Sequence, residues 1–269
     1  MMNSLGFKPI ITGNEEVSES SEKQASKLRL QGEFTNSQNN NRPLAKYFYK
    51  VTNHHEFYQI GNSFLKDFRE GFKSFAITST GYKQSQQRTI LALASFFDHA
   101  MPMKIAIVTN EMGEGVFKEL INKSLDTDLE LSMTNANQMK VKRFYHHFDF
   151  VSFDSIFKMA PAGVPNYEYE HAISQFIRNY DLVLWDTPEI SAFKANNNLY
   201  YPIALYFDSL SIIVSQTLSS QSEIIELQEF FTNYGVNIKG LMLDYTTQKS
   251  IKKKSFLRFL APWRKVEKT

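Results

Sequence analysis

The strongest constraint on the fold of this chain is a rhythm. Short unbroken apolar runs alternate with longer segments whose apolar residues recur at helical spacing. The runs are 72–78, 104–108, a stretch within 148–153, 182–185, 210–215 and 236–243; the helical segments are 55–69, 89–99, 116–124, 169–179 and 222–234. Strands that stay apolar without alternating are buried on both faces, and the helices between them supply the cover. The pattern predicts an α/β chain with a doubly wound, mainly parallel sheet and helices on both faces. Residues 126–145 fit neither period, and no fixed-period repeat is present.

The two ends differ from this middle. Residues 1–45 are rich in Ser, Asn, Gln, Glu and Lys and lack an apolar period, so they read as a disordered polar segment. Residues 46–248 form the predicted domain and residues 249–269 a basic, aromatic tail. The formal net charge of +2 conceals that division. Lys249, Lys252, Lys253, Lys254, Arg258, Arg264, Lys265 and Lys268 face a single acid, Glu267, in the tail, which leaves the rest of the chain mildly acidic. With 42% hydrophobic residues and 23 Phe the chain can bury a sizeable core. Its lack of cysteine excludes disulfides, thiol catalysis and cysteine-held metals. No apolar leader and no long uncharged apolar run is present, which predicts a cytoplasmic protein.

In a doubly wound sheet, ligands bind where strand ends lead into helices, and the first such turn is the natural phosphate site. Here it spans residues 79–89, with one glycine, Gly81, and no Gly-Lys-Ser/Thr to supply a cation and a magnesium-binding hydroxyl. Lys83 and Arg88 flank the turn and read as solvated charges. The adjacent pairs His54-His55 and His146-His147 diverge on either a helix or a strand and are poor chelates, so no metal site is expected.

The segment ITSTGYKQSQQRTILALA (77–94) resembles the nucleotide loop of bacterial tyrosine kinases, a branch of the MinD/ParA-like P-loop ATPases. KIAIVTNEM (104–112) resembles the strand of their second Walker motif, YDLVLWDTP (180–188) the Walker B strand, and 208–244 the last two strands with the adenine loop. Residues 56–62 stand where that family carries an assembly motif. The resemblance implies a P-loop NTPase-like fold, but the chain departs from the family at the reacting positions. Gln86 and Gln87 replace the catalytic lysine and the magnesium-binding hydroxyl, and Ser85 replaces a loop glycine. Thr109 and Glu111 replace two acids, Asp244 replaces the adenine-reading Asn, and Gln59 and Asn62 replace the arginines that follow Glu56 in the assembly motif. Asp186, with Thr187 and Pro188, is unchanged.

Each departure removes a separate support for phosphoryl transfer, and losing one charge-stabilising donor commonly costs about 100- to 1,000-fold. The expectation is therefore a pseudo-ATPase with no catalytic residue and at most weak residual ATP or ADP binding. Its degenerate nucleotide site comprises Thr80, Lys83, Ser85, Gln86, Gln87, Glu111, Asp186 and Asp244. In the tail, Lys252, Lys253, Lys254 and Arg258 interleave with Phe256, Phe259 and Trp263, a pattern suited to an anionic membrane surface or a membrane partner. Nucleic acid is not expected to be its partner. The resemblance implies a non-catalytic scaffold or regulator at the inner membrane, with the membrane component of a polysaccharide export or secretion system as its partner; a monomer, a hetero-oligomer with an active paralogue and a homodimer stay equally open. The alternatives are a divergent active ATP-dependent kinase or a MinD-like positioning protein for a pilus or flagellar apparatus.

Overall fold

The computed structural model describes residues 55–121, 128–132, 138–144, 148–159 and 166–244. Within them the chain runs α1 (His55–Arg69), β1 (Ser74–Ser79), α2 (Lys83–Ala100), β2 (Ile105–Val108), α3 (Gly115–Ile121), β3 (Asp128–Ser132), β4 (Gln138–Phe144), β5 (Phe148–Val151), α4 (Phe153–Phe157), α5 (Asn166–Arg178), β6 (Leu182–Asp186), α6 (Ile190–Ala195), α7 (Asn197–Ala204), β7 (Ser209–Ser215), α8 (Gln221–Asn233) and β8 (Ile238–Asp244).

The eight strands form one sheet in the order β3-β4-β5-β2-β6-β1-β7-β8. The run from β5 to β8 is parallel throughout. At the other side β4 is antiparallel to β5, and β3 to β4. The strands are apolar on both faces because each face has its own core. Phe75 and Ile77 of β1 join Phe64, Leu91, Phe97 and Phe117 under α1, α2 and α3. Ala76 points the other way, into a core with Trp185, Phe176, Phe193 and Phe231 from β6, α5, α6 and α8. Burying each such aromatic or aliphatic side chain contributes about 1.5–3 kcal/mol, which makes these two cores the main source of stability.

The structure differs from the sequence reading in three places. Helix α2 starts at Lys83 and not at residue 89, so the turn after β1 is only three residues long. Its first turns are polar yet buried, with Ser85, Gln86 and Gln87 at 8%, 1% and 1% exposure. Hydrophobic periodicity has no signal for buried amides. The stretch 126–145 contains β3 and β4, whose alternating charges mask their strand character. β4 is tied to β5 by Arg143, which donates to both oxygens of the buried Asp149 at 2.7 and 3.0 Å. Third, α6 and α7 fill the connection from β6 to β7, and Pro202 lies inside α7. Trp185 is fully buried, as a core residue. Among the described residues no helix is long and apolar enough to cross a membrane. The N-terminal segment, both domain boundaries, the residue pair His146-His147 and the tail lie outside the described residues.

Candidate functional site

The order of the strands brings the carboxyl ends of β1, β2 and β6 together. Ile77 of β1 is in register with Asp186 of β6, and Val108 of β2 with Trp185, so Thr109 emerges beside Asp186. Asp186 is 2% exposed. A carboxylate so deep requires partners, and it has them. Its Oδ1 accepts from Gln86 Nε2 at 2.7 Å and lies 3.2 Å from Lys83 Nζ; its Oδ2 accepts from Thr109 Oγ1 at 2.6 Å.

Gln86 and Lys83 face this carboxylate because helix α2 places them one turn apart on the same side. The Gln86 amide also donates to the carbonyls of Ile77, at 2.8 Å, and Thr187, at 2.9 Å. Lys83 Nζ donates to the same Thr187 carbonyl at 2.8 Å and stands 3.7 Å from Glu111 Oε1. Lys83 is therefore no solvated charge: it is the ammonium between two carboxylates. Thr187 closes the floor of the site, donating from both its backbone N–H and its Oγ1 to Ile77 O.

A second layer holds the first. Gln87 Nε2 donates to Glu111 Oε2 at 3.0 Å, and its Oε1 accepts from the Val116 N–H at 2.9 Å, at the start of α3. Gly115 makes room for this amide: it sits at φ +57°, and a Cβ there would collide with Gln87 Oε1. Glu111 N–H donates to Thr109 Oγ1 at 2.9 Å. On the opposite flank Thr80 Oγ1 donates to Ser219 Oγ at 2.6 Å, and Ser219 Oγ also accepts from Ser215 N–H. Gly81 lies so close to β7 that a Cβ would be 2.5 Å from Ser215 Cβ.

Burial pushes the Asp186 carboxyl above the usual carboxylate range, against the pull of Lys83, Thr109 and Gln86. Burial also raises Glu111; Lys83 opposes that shift, Asp186 and Glu114 add to it, and Gln87 opposes it. The folded chain thus holds protons on these groups more tightly than the unfolded chain, and their contribution to stability declines as pH rises through the window above the unfolded carboxylate pKa.

Of the residues singled out from the sequence, the structure brings together Lys83, Gln86, Gln87, Glu111 and Asp186. Thr80 sits on the β7 flank, and Ser85 is buried in α2 with its N–H donating to Tyr82 O at 2.9 Å. Asp244 ends β8, two strands beyond β1. Arg88, half-buried, takes no part in the network. Gln59 and Asn62 are exposed on α1; Glu56 is also in α1, with its side chain outside the described residues. The sequence reading did not foresee the donor role of Thr109, the contact of Gln87 with Gly115 or the part played by Ser219. The glycines Gly113 and Gly115, before and at the start of α3, were the only local signal for any of them.

The groups that would face a magnesium–nucleotide complex in a P-loop fold are engaged with one another here. The donors of Gln86 are directed down into the strand ends, Ser85 N–H is taken by the turn, and the carboxylate that would support magnesium already faces an ammonium.

The fold has counterparts of known structure. The chain is similar to the VpsO kinase domain, with a TM-score of 0.50 and 12% identity over 78% of this chain and 100% of that one. It also resembles the kinase domain of Escherichia coli tyrosine kinase ETK (TM-score 0.45, 17% identity, 66% of this chain and 69% of that one). A ParA family ATPase from Chlorobium tepidum gives 0.44 and 13%, over 67% and 80%. No family model and no characterised protein sequence matches the chain. The chain is an α/β protein with the P-loop NTPase-like fold. Its fold is similar to that of the VpsO kinase domain.

Proposed function

We propose that this chain is a pseudo-ATPase, a non-catalytic relative of the tyrosine kinase domain that serves as a scaffold or regulator. The observation that carries this reading is the saturation of Asp186 by Lys83, Gln86 and Thr109. A catalytic site of this fold keeps its lysine and its acid available for phosphate and magnesium. Here the equivalent groups are used to hold three strand ends and α2 together. The site has become part of the core.

The resemblance supplies the setting: a membrane-bound polysaccharide synthesis, secretion or export system, with the membrane component of that system as partner. The tail supplies the means of attachment, through Lys252, Lys253, Lys254 and Arg258 with Phe256, Phe259 and Trp263. In this reading the protein is peripheral at the inner membrane. Glycosyltransferase genes beside its own would support the polysaccharide role, and pilus or flagellar genes would oppose it.

In a steady-state phosphate-release assay with magnesium-ATP, the wild-type chain and Asp186→Ala should give the same background. A rate present in the wild type and lost in the variant would sink the reading. For the tail, each of Lys252, Lys253 and Lys254 replaced by Gln should weaken binding to phosphatidylglycerol vesicles about fivefold, since a basic residue near an anionic surface contributes about 1 kcal/mol. Vesicle binding indifferent to all three would remove the membrane contact.

A further inference from the structure

Seven large apolar side chains are well exposed among the described residues, and four of them belong to the β7–α8–β8 unit at one edge of the sheet: Leu218, Ile225, Leu241 and Leu243, at 46%, 43%, 48% and 62% exposure. Leu241 and Leu243 are in register with Ile212 and Val214, which belong to the core beneath α8. They therefore project on the α8 side of the sheet but beyond the helix. Leu218 lies in the turn from β7 to α8, and Ile225 on α8 itself. Among the described residues no strand pairs with the outer side of β8. Such edges are normally guarded by an outward charge. Lys239 does not serve, because its ammonium is turned to Asp67, at 2.5 Å, and Ser63 O, at 3.3 Å.

The chain itself carries a complementary segment that departs from this edge. Residues 245–269 follow directly from the end of β8. On a helix Phe256, Phe259 and Leu260 share one face. The eleven residues 245–255 reach about 36 Å when extended, whereas β8 is about 23 Å long, so the apolar face can return to any point along the strand. The charges match as well: α8 has no Lys or Arg, and although Glu226 is paired with Lys194 at 2.6 Å and Glu223 caps the helix through Ser220, Glu229 adds an exposed acid, while the tail holds one acid, Glu267, among eight basic residues.

We infer that residues 249–269 fold back on their own domain, laying Phe256, Phe259 and Leu260 over Leu218, Ile225, Leu241 and Leu243, with Lys252–Lys254 toward Glu229 of α8. Resting on the reading of the tail as an attachment segment, this docking regulates attachment: the same side chains cannot cover this edge and enter a membrane surface at once.

Trp263 in the full-length chain reports on the docking, because Trp185 is fully buried and contributes a constant background to quenching. With the neutral quencher acrylamide at low salt, Trp263 should be protected, and Leu241→Glu with Leu243→Glu should expose it several-fold. Leu205→Glu, at an exposed leucine elsewhere, should not. An unchanged thermal melt for the double variant shows that it folds. Its affinity for phosphatidylglycerol vesicles should rise about tenfold, the factor for a tail free one-tenth of the time. Equal quenching in wild type and double variant, or protection that is lost on dilution and so comes from a second copy, would overturn the docking. Vesicles bound by neither chain would sink the membrane contact, and the quenching result alone would then decide the docking.

Discussion

Replacing Lys83 with Met should cost the folded chain about 3 kcal/mol near neutral pH, measured by urea denaturation. The ammonium lies 3.2 Å from Asp186 Oδ1 and 3.7 Å from Glu111 Oε1, and the Asp186 side chain is wholly buried. Removing one member of a buried pair leaves the other charge uncompensated, which is far more damaging than never having had the pair. Lys83 itself is 24% exposed, so the lower part of the usual range applies. The loss should also depend on pH. Without its cation, Asp186 will hold its proton to still higher pH, so the cost is full above that pKa and shrinks as the pH falls through it. Asp186→Asn in the same chain should recover most of the stability, since the amide removes the stranded charge. A Lys83→Met variant as stable as wild type at neutral pH would mean that Lys83 is the solvated charge its sequence context suggests.

Placing a lysine at the next turn should be nearly as harmful. Gln86→Lys would bring a second ammonium to the oxygens that Lys83 already contacts, Asp186 Oδ1 and Thr187 O. Two like charges about 4 Å apart repel by about 4 kcal/mol at the effective dielectric of a protein site. Retained contacts to the acceptors offset part of this, so the expected loss is about 2–4 kcal/mol. The cure follows from the geometry: combining Gln86→Lys with Lys83→Met should be better tolerated than Gln86→Lys alone. Nor should Gln86→Lys with Gln87→Thr gain phosphate release, because Thr109 still donates to Asp186 and Lys83 still stands between Asp186 and Glu111. Stability and turnover both gained by that pair would show a site one step from activity, not one absorbed into the core.

The fold was legible where apolar pattern decides it. The runs at β1, β2, β6 and β7 are buried on both faces, and α1 has the bounds its Phe57, Ile60, Phe64, Leu65 and Phe68 spacing predicts. Asp186 was visible too, as an acid ending such a run before Thr187 and Pro188. The state of the site was not legible. Gln86 is buried because Asp186 and Thr187, about a hundred residues away in sequence, join Ile77 in accepting its hydrogens, and Gln87 because Glu111 and Val116 bond it where Gly115 leaves space. A polar side chain buried by remote partners has no local signature. Its neighbours then read as a loop, which is why the first turns of α2 and the inward turn of Lys83 were missed. β3 and β4 escaped for a related reason: Lys140, Lys142 and Arg143 interrupt the apolar signal, and the Arg143–Asp149 pair that anchors β4 is visible only in three dimensions.

Calorimetric titration of the full-length chain with magnesium-ATP tests the central claim most directly. A cluster in which Lys83, Gln86 and Thr109 satisfy Asp186 predicts no saturable heat up to millimolar nucleotide. Stoichiometric binding with a micromolar dissociation constant, lost in Lys83→Met, would contradict it and return the chain to the nucleotide-binding members of its fold.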